Sequence, residues 1–78
     1  MSLRVGVAEE HKAAAIQEIK AAMKLYKDLR MHERYQTILM LLLDYSYERI
    51  SKVTERTVAT LYNYSKAYRE HGMQGLQI

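Results

Sequence analysis

Apolar positions recur at helical spacing in four successive stretches of this chain, and short polar segments separate them. From about Ala8 the stretch "AEEHKAAAIQEIKAAMKLYK" places Ile16, Ile19, Met23 and Tyr26 on one narrow stripe, the spacing of a packing seam. Glu9 and Glu10 stand at its start and Lys24 and Lys27 at its end, matching the helix dipole. Asp28 can cap the next stretch, "LRMHERYQTILMLLL". There Met31, Tyr35, Ile38, Leu39 and Leu42 share a face, and Met40, Leu41 and Leu43 widen it until the end is apolar nearly all round. This pattern predicts a central helix with neighbours on several sides. Asp44 tolerates the left-handed backbone that ends such a helix.

Ser46 can cap a short third helix, "YERISKV", with Ile50 and Val53 on its buried side, and Thr57 a fourth, "VATLYNYSKAYREH", which Gly72 ends. In the fourth, Leu61, Tyr64, Ser65 and Tyr68 share one face, while Asn63 and Lys66 fall on an accessible stripe. The expectation is an all-α fold of four helices in a single domain over 8–78. Its leading helix spans 8–27, its central helix 29–43 and a helix-turn-helix 46–71. "MSLRVGV" has no period, so 1–7 is read as a disordered N-terminus whose first residues could be a cloning remnant.

Composition supports helices over strands and narrows the chemistry. The 78 residues hold no proline, no cysteine and only three glycines, so no disulfide or thiolate metal site can staple the chain. The longest apolar run, "ILMLLL", is too short to cross a bilayer, and no cleavable signal opens the sequence. A cytoplasmic protein with no membrane partner is expected. The net charge of +3 and the pI near 9.3 permit nucleic-acid binding without demanding it.

The last two helices meet at "TERT", which is helix-turn-helix spacing. The ordered pieces "RYQ", "DYSYERI", "TLYNY" and "YREHGMQGL" resemble the N-terminal DNA-binding region of mariner-superfamily bacterial insertion-sequence transposases, over about residues 29–76. That resemblance implies a homeodomain-like helix-turn-helix with an extra N-terminal helix. It also implies a module for transposon terminal inverted repeats, whose catalytic domain is separate and absent from these residues. Ser51 stands where the family usually has Ala, Thr54 where Leu is common, and Glu55 where Gly often makes the turn. Val58 and Ala59 replace polar or basic residues, and apolar groups there can touch thymine methyls but cannot pair with guanine.

The expected duplex-binding residues are Arg56, Thr57, Val58, Ala59, Thr60, Tyr62, Asn63, Lys66 and Arg69. Asn63 is the candidate for adenine through its amide. Arg56, Lys66 and Arg69, with the hydroxyls of Thr60 and Tyr62, are the candidates for phosphates. Tyr64 and Tyr68 read as core.

No catalytic or metal-binding residue is assigned, and no cofactor is expected. His11, His32 and His71 form no ligand spacing, and no Gly-rich phosphate loop occurs. The chain is therefore expected to be no enzyme, with double-stranded DNA as its partner. The alternative is a protein-interaction module that pairs two copies through the Ile16-Ile19-Met23-Tyr26 seam.

Overall fold

Four helices follow one another in the computed structural model, which describes residues 5–77: α1 (Lys12–Leu25), α2 (Leu29–Leu42), α3 (Tyr47–Thr54) and α4 (Val58–His71). A 3-10 turn, Glu9–His11, precedes them and a second, Gly72–Gln77, closes the chain. There is no strand among the described residues, so the chain is an all-α protein of four helices. None of those helices is long and apolar enough to cross a membrane.

Three helices begin where a short polar side chain satisfies the first free amides. Asp28 Oδ1 accepts from Arg30 N at 2.8 Å and from Met31 N at 3.3 Å. Ser46 Oγ accepts from Arg49 N at 3.1 Å, and Thr57 Oγ1 from Thr60 N at 3.3 Å. The end of α2 is equally explicit. Asp44 takes φ 68°, Tyr45 N donates back to Met40 O, and Asp44 N donates to Leu41 O. Those paired bonds form a Schellman motif with aspartate in the left-handed position.

α1 differs from its expected span. It has no capping side chain at Ala8, so its first turn is 3-10 and the α-helix starts at Lys12. It stops at Leu25 because Tyr26 turns extended, which sets its ring 6.3 Å from that of Tyr35. Lys12 fastens the start of α1 to the α2–α3 loop through Asp44 at 2.8 Å, and the shared hydrogen bond raises the ammonium's pKa above its ordinary value.

α2 is the central helix, packed by α1, α3, α4 and the closing turn. Tyr35, Ile38 and Leu42 of α2, Ile19 of α1, Ile50 of α3, Leu61 of α4 and Leu76 of the closing turn are fully buried in one cluster. Val5 joins them, although "MSLRVGV" carries no periodicity that announces it. Residues 1–4, where the remnant was expected, lie outside the described residues. Val53 departs from expectation too: it is half exposed, and Ile50 and Tyr47 supply the side of α3 that packs on the core.

The closing turn is pinned from both sides. Arg34 Nη1 donates to Leu76 O at 2.9 Å, and its guanidinium lies 5.6 Å from the Tyr64 ring centre. The buried Tyr35 hydroxyl has no hydrogen-bond partner among the described residues. Leaving a buried hydroxyl unpaired costs on the order of 1–3 kcal/mol. Tyr35→Phe is therefore expected to raise stability by about 1 kcal/mol in urea denaturation, with the same α-helical circular dichroism. A loss of stability would show that the hydroxyl is hydrogen-bonded.

Candidate nucleic-acid interface

The join between α3 and α4 is made of Glu55, Arg56 and Thr57. Glu55 carries the turn at φ 60°, ψ 29°, the left-handed region that glycine enters at least cost. Two hydroxyls hold the turn. Ser51 donates to the Arg56 carbonyl, and Thr54 Oγ1 accepts from Arg56 N at 3.3 Å while donating to Ile50 O at 2.8 Å. The Ser51 and Thr54 that depart from the transposase pattern thus fasten the turn that Glu55 strains.

α4 is divided lengthwise. Leu61, Ser65 and Tyr68 are buried, and burial pushes the Tyr68 phenol's pKa up. Ala59, Tyr62, Asn63 and Lys66 stand exposed on the opposite side, with Arg69 beside them. These five site residues form one accessible face, an arrangement that follows from 3.6-residue periodicity.

The remaining four are placed differently. Thr57 is the cap, and its hydroxyl pairs with that of Thr60 at 3.0 Å, so the Thr60 hydroxyl faces the cap rather than open solvent. Val58 is half-buried. Arg56 reaches Glu33 on α2 with Nε at 2.6 Å and Nη2 at 3.3 Å. The Glu33 carboxylate holds that guanidinium's pKa above its ordinary value, and a phosphate would have to displace it.

Sequence reasoning missed Tyr47. Its ring stacks on that of Tyr62, centres 4.5 Å apart and 8° from parallel. Its hydroxyl donates to Ser65 Oγ at 3.0 Å, and Ser65 donates in turn to the Tyr62 carbonyl. Tyr62 is thereby held as a fixed aromatic platform while remaining 55% exposed. Two tyrosines fifteen residues apart on different helices give no periodic signal, so only the packing of α3 on α4 reveals the pair.

Among the described residues no three His, Asp or Glu side chains gather in a way that could hold a metal ion. Residues 32–78 match a family model described as "Putative ATPase subunit of terminase (gpP-like)". That span is more than half of the chain and takes in most of α2 with all of α3, α4 and the closing turn. The chain belongs to the gpP-like family of terminase ATPase subunits. No curated protein and no solved structure matches it significantly.

Membership in this family overturns the transposase resemblance and what it implied. The matched span almost coincides with the 29–76 that carried the resemblance. Within it, Tyr35, Ile50, Tyr68, Gly75 and Leu76 are all buried. Buried residues specify how three helices and a closing turn pack, and such a pattern can serve unrelated functions. Recognition of transposon ends as the function, and terminal inverted repeats as the partner, are withdrawn on this ground. The expectation of a DNA-binding portion that is no enzyme is likewise overturned, because the family is one of ATPase subunits.

Pairing of two copies through the Ile16-Ile19-Met23-Tyr26 seam falls as well. The family match points to partners within a terminase complex. The structure supplies the physical reason: Ile19 is fully buried, and Ile16 and Met23 pack inward on the same core.

Proposed function

We propose that this chain supplies the duplex-handling part of a terminase ATPase subunit, with the exposed face of α4 against double-stranded DNA. In this reading α2, α3 and α4 form a homeodomain-like helix-turn-helix, α1 is an additional leading helix, and residues 8–78 fold as one cytoplasmic unit. The observation that supports it is the division of α4. Its inner face is spent on the core, while Ala59, Tyr62, Asn63 and Lys66 stand on an outer stripe at the end of a fixed turn. A helix presented in this way fits the major groove.

The composition of the stripe favours contact that tolerates sequence. Asn63 alone among these four carries an amide able to read adenine. Ala59 offers only a methyl group. Lys66 and Arg69 suit phosphates, which carry affinity without sequence information.

Fluorescence anisotropy with two unrelated duplexes of equal length, across a salt series, tests the reading. Both are expected to bind within about threefold of each other, with affinity falling steeply as salt rises. Asn63→Ala should weaken binding by no more than about 1 kcal/mol and to a similar degree on both. Absence of binding to either duplex at low salt would overturn the proposal.

A further inference from the structure

The corner between α1 and α2 exposes more apolar surface than a solvated turn needs. Leu25 is 73% exposed and Leu29 82%. Leu29 and Met23 line an open groove of about 470 Å³, with Lys24, Lys27 and His32 along its rim. Exposed leucines beside a groove mark an interaction site more often than scattered surface residues do.

The charges around this corner lean positive, with Lys24, Lys27 and Arg30 against Asp28 and Glu33. Lys24, Lys27 and Arg30 form no ion pair among the described residues. Glu33 is paired with Arg56, which leaves Asp28, the cap of α2, as the carboxylate among them. The corner therefore offers an apolar floor with an excess of cations around it.

We infer that this groove receives an acidic amphipathic helix from a protein partner. Leucine-type side chains of that helix would fill the floor against Met23 and Leu29, and its flanking carboxylates would meet Lys24, Lys27 and Arg30. A second copy of this chain is a poor occupant, since a two-fold contact through the corner would set these cations against themselves. A duplex is a poor occupant too, because phosphates leave the leucines without an apolar match. The family match starts at residue 32, so Met23–Arg30 lie outside the matched span. The inference stands apart from the α4 reading and does not need it.

The test uses the whole chain, labelled with 15N, and three synthetic helical peptides as probes. One has leucines at i, i+4 and i+7 flanked by glutamates. The second replaces the glutamates by lysines, and the third replaces the leucines by serines. The first peptide is expected to bind and to shift the amides of Met23–His32, and each of the other two to bind at least roughly tenfold more weakly. Leu29→Ser, at an exposed position, should weaken the first peptide roughly tenfold while leaving duplex affinity unchanged. Lys24→Glu combined with Lys27→Glu should reverse the preference between acidic and basic peptides. Equal binding of the acidic and basic peptides, or shifts confined to other surfaces, would overturn the inference. So would anionic phosphatidylglycerol vesicles that bind the corner while the acidic peptide does not, or self-association in sedimentation that Leu29→Ser abolishes.

Discussion

Gly75→Ala is expected to cost about 3 kcal/mol of stability, at the upper end of what overpacking usually costs. A Cβ at Gly75 would sit against the Ala67 carbonyl, 2.8 Å from its carbon and 3.2 Å from His71 Cβ. The obstacle is helix backbone rather than the tip of a flexible side chain, so α4 and the closing turn would have to part. Leu76 follows Gly75 into the core and is 1% exposed; separation would draw it out and loosen the carbonyl that Arg34 holds. Gly72→Ala provides the contrast. Gly72 has φ 65° and ψ −145°, a backbone region that essentially only glycine occupies, but open space where a Cβ would go, so that change should cost about 1–3 kcal/mol of backbone strain with no clash. Urea denaturation of the two variants checks both values. A Gly75→Ala protein as stable as the unaltered chain would contradict the packing described.

Lys66→Glu is expected to lower duplex affinity roughly tenfold at low salt and to make the salt dependence shallower, since it removes one phosphate contact and adds a repulsion. The ammonium stands on the exposed stripe of α4 and has no ion pair among the described residues. Arg56→Ala should change affinity by about threefold or less, because Arg56 meets Glu33 in the free protein and one phosphate contact is worth little more. Neither substitution touches the core, so thermal unfolding should remain near that of the unaltered chain. Anisotropy titrations at two salt concentrations separate them. A larger effect at Arg56 than at Lys66 would move the contact surface from the face of α4 to the turn.

Much of this fold was legible because its helix starts depend on local chemistry. Asp28, Ser46 and Thr57 cap the helices they were expected to cap, and Asp44 takes the left-handed position at the end of α2. Such signals act within a few residues and can be read along the chain. What was missed depends on contacts between distant residues. Val5 in the core, the Tyr47–Tyr62 stack and the Arg56–Glu33 pair join positions far apart in sequence. The family assignment failed for a related reason. Its most specific motif, "YREHGMQGL", owes its order to Tyr68, Gly75 and Leu76 docking on one core, and helical packing of that kind does not specify what the outer face binds.

The most direct test of the central claim is a backbone-amide footprint of a mixed-sequence duplex on the 15N-labelled chain. The account predicts that Ala59, Tyr62, Asn63 and Lys66 shift together, that an unrelated duplex shifts the same amides, and that the α1–α2 corner stays still. A footprint that leaves α4 unchanged, or that falls on Leu25–Arg30, would contradict it.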